Sequence, residues 1–330
     1  MSESIVSIRN LGTHYPITGG WFGPTPVVRA LDNIDMEIKR GQFFGLVGES
    51  GSGKTTLGRA ILKAAPISAG KIIFYDGEKE LDINTLAKQD MLTFRRQAQL
   101  IFQDPYAALS PRMTVRDIIA EPLEVMKLTN SKDETNQRVR EIASECRLNV
   151  EHLRRFPHAF SGGQRQRISI ARALVANPSF MVADESVAAL DVSIQADILN
   201  LLKSLQHQRG LTFLFISHDL SVVAHVCDIV AVMYLGRLVE MAPTRKLFAK
   251  QRHPYTAALL SAIPSLDLDH HHKAIKLEGE IPSPISPPSG CRFHTRCAYA
   301  QDRCKMEIPQ WRKLDHDHSV ACHFADELEL

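Results

Sequence analysis

The chain has 330 residues, 39 of them basic and 37 acidic, and 44% of the total are hydrophobic. That length suggests about two domains, and the near-zero net charge supplies no field for steering onto a bulk polyanion, so nucleic acid is not the expected partner. No apolar run approaches the roughly 18 residues that span a bilayer, and the opening MSESIVSIRN lacks the basic and apolar regions of a secretory signal. We therefore expect a cytoplasmic chain that sits on a membrane complex.

Strand signals come first. Ile34, Met36 and Ile38 alternate with charged residues, and Phe43-Phe44-Gly45-Leu46-Val47 is a buried-type run that feeds into a glycine loop. Two shorter apolar runs follow, Ile72-Ile73-Phe74 and Ala98 to Phe102, before the pattern turns helical over 114–153. That stretch reads as a helical insertion in a sheet-based domain. Afterwards the alternation resumes: a helix from Gly162, a strand over 180–183, a helix through Ile194, Ile198, Leu202 and Leu205, then strands over 211–216 and 229–235. Such alternation predicts a mainly parallel sheet with helices on its faces. Past Pro243 the text changes again, and IPSPISPPSG at 281–290 reads as a proline-rich linker or arm before a small third module.

The loop GESGSGKTT, Gly48 to Thr56, fits G-x-x-x-x-G-K-[ST] without a mismatch and stands between a strand and a helix. Its glycines, Gly48, Gly51 and Gly53, let backbone N–H groups curl around phosphate oxygens, with Ser50 and Thr56 beside them. Lys54 is expected to bridge the β- and γ-phosphates, and the Thr55 hydroxyl to ligate Mg²⁺. An unliganded glycine turn is the plain alternative, and the full match in its strand-to-helix context speaks against it. Downstream, the run 180–183 ends in Asp184-Glu185, two carboxylates at the tip of a buried strand, where open α/β sheets place ligand chemistry. Asp184 suits the Mg²⁺ shell and Glu185 suits polarising an attacking water. Taken alone, such a pair is as readily a helix cap.

Six cysteines are unevenly placed. Cys146 lies on a helical stripe with Val139, Ile142 and Ala143 and reads as packing, as does Cys227. Cys291, Cys297, Cys304 and Cys322 crowd the final 40 residues, and in a reducing compartment clustered thiols suggest metal before disulfides. The run His270-His271-His272 reads as solvated linker, and Asp315-His316-Asp317-His318 as at most an accessory to Cys322.

The order GESGSGKTT, Gln103 in IFQDP, SGGQRQR, MVADES, Ala189-Leu190-Asp191 and His218 in FISHD resembles the nucleotide-binding subunit of an ABC transporter over about residues 4–245. The resemblance implies an α/β fold: a P-loop NTPase (RecA-like) core with an N-terminal antiparallel β subdomain, a helical subdomain over about 104–178, and a C-terminal extension, 246–330, carrying the cysteines. It implies that two such domains pack head to tail with ATP between them. Ser161, Gly162, Gly163 and Gln164, with Asp191, would then complete the partner subunit's site, although a lone S-G-G is ordinarily a helix cap with a tight turn. In the same resemblance Tyr15 stacks on adenine, Gln103 touches Mg²⁺ or the attacking water, and His218 contacts the γ-phosphate and holds Glu185.

Three further stretches resemble the importers of oligopeptides and dipeptides: the run 102–115, His253-Pro-Tyr-Thr256 and Gly279-Glu-Ile-Pro-Ser-Pro284. Ser186 departs from the proline common in that branch. The branch implies a second ABC ATPase subunit, two transmembrane permeases and an extracytoplasmic solute-binding protein, with this chain peripheral on the cytoplasmic face of the membrane. It also favours a [4Fe–4S] cluster on the four clustered cysteines, with Zn²⁺ and free thiols as the alternatives. An exporter subunit and a soluble, non-transport ABC ATPase are the competing functions.

Overall fold

The computed structural model describes residues 3–17, 26–77, 79–188, 190–263 and 275–330. Strands β1 (Ser4–Pro16) and β2 (Val27–Lys39) pair antiparallel, and β3 (Phe43–Val47) leads through the glycine loop into α1 (Lys54–Ile61). Then come β4 (Ala69–Asp76), β5 (Lys79–Asp82), α2 (Lys88–Gln97) and β6 (Ala98–Ile101). Four helices follow without an intervening strand: α3 (Pro105–Ala108), α4 (Val115–Val125), α5 (Lys132–Glu145) and α6 (Gly162–Leu174). The hydroxyls of Thr114 and Ser131 cap α4 and α5 by accepting from Asp117 and Glu134 amides, so these helix starts are written locally.

The alternation returns with β7 (Phe180–Asp184), α7 (Val192–Arg209), β8 (Thr212–Ile216), α8 (Leu220–Val226), β9 (Ile229–Tyr234) and β10 (Arg237–Pro243). The chain ends with α9 (Thr244–Ala249), α10 (Pro254–Ser261), α11 (Asp302–Met306), β11 (Arg312–Lys313) and β12 (Ser319–Val320). The first sheet is antiparallel in the order β2-β1-β4-β5; the second runs β11-β12-β10-β9-β3-β8-β7-β6, parallel from β9 to β6.

The parallel strands are buried on both faces, and their residues divide by parity. Phe43, Val47, Met181, Ala183, Phe213, Phe215, Val230 and Val232 face a core shared with the helices from α4 to α8. Phe44, Leu46, Phe180, Val182, Leu214, Ile216, Ala231 and Met233 face the antiparallel sheet together with Leu57 and Ile61 of α1 and Phe94 of α2.

The small carboxyl-terminal module joins the main sheet. β12 pairs with β10 through Glu240–Val320 and Met241–Ser319, while Phe293 and Val320 are buried. Arg292 donates to the Leu235 carbonyl and to Asp32, which also pairs with Arg237 at 2.8 Å. Burial opposes the Asp32 charge, but Arg237 and Arg292 hold its carboxyl below its ordinary pKa. The extension is thus an integral part of the main sheet. His270 to His272 and Ala189 lie outside the described residues.

Candidate active site

A loop and three residues assembled here follow the carboxyl ends of four parallel strands: the glycine loop after β3, Gln103 after β6, Glu185 after β7 and His218 after β8. The loop's backbone requires glycine. Gly48 has φ +148 and Gly53 φ +105, and a Cβ at either would lie 2.2 Å from the Met233 carbonyl or 2.5 Å from the Ala30 carbonyl. The loop opens α1 with its unpaired amides and positive dipole end. Lys54, only 4% exposed, donates from Nζ to the Gly48 carbonyl at 2.7 Å and the Glu49 carbonyl at 3.0 Å. Burial lowers its pKa, and the charges of Glu185, Asp184 and Glu49 pull the other way.

Thr55 Oγ1 donates to Asp184 Oδ1 at 2.9 Å, which joins the helix start to the tip of β7. Burial raises the Asp184 pKa; the Thr55 hydrogen bond opposes the shift and the Glu185 charge adds to it. Glu185 has φ +46, uncommon for a side chain with a Cβ, and its amide donates to the Ile216 carbonyl at 3.0 Å. In that conformation its carboxylate accepts from Gln103 Nε2 at 2.8 Å and lies 3.4 Å from His218 Nδ1. A cleft of about 260 Å³ is lined by Ser50, Gly51, Gly53, Lys54, Thr55, Thr56, Gln103 and Glu185, with Val28 to Ala30 and Pro284 as another wall.

Other expected residues lie elsewhere. Tyr15, 37% exposed, pairs with Val28 across β1 and β2, so it stands beside a cleft residue without itself lining the cleft. Ser161 caps α6: its side chain accepts from the Gln164 amide at 3.4 Å while its own amide donates to Gln164 Oε1 at 3.0 Å. Asp191 caps α7 by accepting from the Ile194 amide at 3.1 Å, and a Cβ on Gly163 would lie 2.4 Å from Ile194 Cγ2. The two helix starts therefore adjoin. None of Ser161, Gly162, Gly163, Gln164 and Asp191 lines the chain's own phosphate cleft.

Cys291, Cys297, Cys304 and Cys322 line one small cavity with His253, His294, His323 and Phe293. Burial pushes the Cys291 thiol up to about 12 and the Cys322 thiol to about 11, and raises Cys297 as well, with neighbouring thiolates adding to each shift. Among the described residues no three His, Cys, Asp or Glu side chains are grouped closely enough to hold a single metal ion. The four thiols face one apolar cavity but are not drawn together as the ligands of a single ion are, since Zn–S bonds of about 2.3 Å demand tight convergence. Cys146 and Cys227 are buried in the core, and burial pushes both thiols up.

Sequence reasoning passed over Glu49, Tyr255 and Arg296. Arg296 grips Glu49 with two hydrogen bonds, of 2.6 and 3.0 Å, and the Tyr255 hydroxyl accepts from the Glu49 amide at 2.8 Å. The latter gives His253-Pro-Tyr-Thr256 a physical reason. His253 Nδ1 caps α10 by accepting from the Tyr255 amide, Glu240 accepts from the amides of Arg252 and His253, and Tyr255 reaches the phosphate loop. Glu49 stands inside the glycine loop, where nothing local marks a partner, and its partners lie more than 200 positions away.

Residues 31–188 match the family described as ABC transporter, and residues 239–304 match the oligopeptide/dipeptide transporter C-terminal region. A putative peptide import ATP-binding protein of Brucella ovis is 49% identical over 323 residues, covering 98% of each chain. The chain belongs to the ABC transporter family. A di/tripeptide transport ATP-binding protein of Pseudomonas aeruginosa, DppF, is 44% identical over 98% of this chain and 99% of its own. Among solved structures, the ABC cassette MJ0796, a post-hydrolysis dimer bound to ADP and Pi, superposes with a TM-score of 0.63 at 28% identity, covering 73% of this chain and 99% of that one. The cbiO1 subunit of a Clostridium perfringens ABC complex gives 0.64 at 27% identity, over 75% and 92%. As a member of the ABC transporter family the chain is an ATPase that works with ATP and Mg²⁺. Among the described residues no helix is long and apolar enough to cross a membrane.

Proposed function

We propose that this chain is the ATP-hydrolysing subunit of a membrane importer for peptides or a related solute. The convergence of Lys54, Thr55, Asp184, Gln103 and Glu185 at the carboxyl end of the parallel sheet carries the reading. The loop amides and Lys54 bind the phosphates, and Tyr15 stacks on the base beside Val28. Glu185 accepts a proton from water as its oxygen attacks the γ-phosphorus; the bond to the bridging oxygen breaks, and ADP carries the electron pair away. Gln103 and His218 hold the Glu185 carboxylate for that task. Thr55 and Gln103, with Asp184 nearby, would hold Mg²⁺, which would supply charge neutralisation at the phosphates.

The amino-terminal ends of α6 and α7 support a head-to-tail pairing of two ATPase domains. There Ser161, Gly162, Gly163, Gln164 and Asp191 present helix-start groups to the partner's γ-phosphate instead of their own. The second domain is a copy of this chain or a related subunit. Next to Gln103 in the chain, exposed Phe102 lines a groove with Leu62, Leu100, Val125 and Met126 and with charged Arg95, Glu121 and Arg172, a mixed apolar and charged seat for a permease segment. Two permeases and an extracytoplasmic binding protein complete the assembly, with this chain peripheral on the cytoplasmic face. The peptide and import names of the relatives support the solute class and direction. We place the nucleotide-binding domain at 1–245, with its helical subdomain at about 104–178, and the extension at 246–330.

Cys291, Cys297, Cys304 and Cys322 would hold a [4Fe–4S] cluster, or Zn²⁺ if the cavity contracts, as a structural or redox-sensing centre. Stoichiometric iron and sulfide in anaerobically purified protein would establish the cluster, and absence of both iron and zinc would remove either metal.

The test of the transport reading is mass spectrometry of what co-purifies with the chain at native level from gently solubilised membranes. Two polytopic proteins with a second SGGQ-bearing subunit are expected. Recovery of ribosomal or DNA-bound proteins without a polytopic partner would overturn it.

A further inference from the structure

We infer that the carboxyl-terminal extension completes the phosphate loop, with Arg296 and Tyr255 as positioning residues that neutralise Glu49 and fix its backbone. The inference rests on the ATP-binding reading of the cleft. Glu49 is the second residue of the loop, so its carboxylate stands in a segment whose task is to cradle a polyanion. An uncompensated negative charge there opposes phosphate binding. Arg296, with a side chain only 6% exposed, supplies the compensation in fork geometry: Nη1 to Glu49 Oε2 at 2.6 Å and Nη2 to Oε1 at 3.0 Å.

The guanidinium is itself held in place. Its Nη1 also donates to the Tyr234 hydroxyl at 3.4 Å, and its carbon lies 5.9 Å over the Tyr234 ring. Tyr234, Tyr255 and Phe293 pack ring against ring, with centroids 4.7 to 5.3 Å apart. The wholly buried Tyr255 takes the Glu49 N–H at 2.8 Å, which commits that amide to the protein and leaves the later amides of the loop to face the ligand. Arg296 and Tyr255 come from two different segments of the extension, so loop geometry depends on both being docked.

The test measures MgATP affinity by titration calorimetry on the full-length chain and its Arg296→Gln, Glu49→Gln and double variants. Arg296→Gln is expected to weaken binding about tenfold. Glu49→Gln is expected to bind at least as tightly as wild type, and the double variant to return to within about threefold of it. Arg296→Lys, which keeps the charge but loses the fork, falls between. A merely structural arginine predicts no rescue by Glu49→Gln. Affinity of Arg296→Gln within twofold of wild type, or a double variant as weak as the single one, overturns the inference. Failure of the wild-type chain itself to bind MgATP would instead remove the nucleotide reading on which it rests.

Discussion

Gln103 Nε2 donates to Glu185 Oε2 at 2.8 Å, a bond that ties the ends of two neighbouring parallel strands, β6 and β7, at the mouth of the cleft. Gln103→Ala removes the donor and leaves Glu185 oriented by its backbone and by His218 alone. Turnover is expected to fall about 10- to 100-fold with ATP affinity little changed. Steady-state hydrolysis beside equilibrium ATP binding checks the split, and an equal loss of both would assign Gln103 to ground-state binding.

Asp184 is a buried carboxylate whose ionised form is disfavoured first by burial. Asp184→Asn keeps an acceptor for the Thr55 hydroxyl and removes the charge. The melting temperature at neutral pH is expected to rise by about 2 °C while turnover falls about 100-fold or more. Because the folded pKa is raised, the stability gain belongs to neutral pH and fades as pH falls through the Asp184 titration, above the ordinary value of 3.8, where the wild-type carboxyl also becomes neutral. Thermal denaturation of both proteins across that window tests the sign.

Gly163 meets Ile194 so closely that a methyl group has no room. Gly163→Ala is expected to destabilise by about 1 to 3 kcal/mol through displacement of α6 from α7. Adding Ile194→Ala should recover most of the folding loss, since it removes the clashing methyl. Chemical denaturation of the single and double variants measures this, and additive losses would contradict the packing account.

Removal of residues 275–330 takes Phe293 and Val320 out of the core and strips β12 from β10. The Phe293 ring alone contributes about 3 to 5 kcal/mol against a total stability of about 5 to 15 kcal/mol. The truncated chain is expected to aggregate or to melt far below the full-length protein. An unchanged melting temperature would show that the extension adds nothing to the stability of the main sheet.

Much of the architecture was legible because its causes are local. Continuous apolar runs gave β3, β7, β8 and β9 away, and the helical pattern over 114–153 gave α4 and α5. The glycine loop could be read because its positive φ angles and close carbonyls force glycine at Gly48 and Gly53 in a recognisable spacing. The docking of the extension could not, since Glu240–Val320, Asp32–Arg292 and Glu49–Arg296 join residues far apart in sequence and leave no periodic trace. Prolines at 281–290 suggested a spacer, yet Pro284 accepts from the Arg29 amide at 3.2 Å and walls the cleft.

The central claim is that Glu185 is the base of an ATPase, and its most direct test is the fate of bound ATP in Glu185→Gln under single-turnover conditions within the isolated membrane complex. The account predicts that the variant binds ATP with near-wild-type affinity and hydrolyses it about 10²- to 10⁴-fold more slowly. Hydrolysis at the wild-type rate would contradict it and assign the proton transfer to another group.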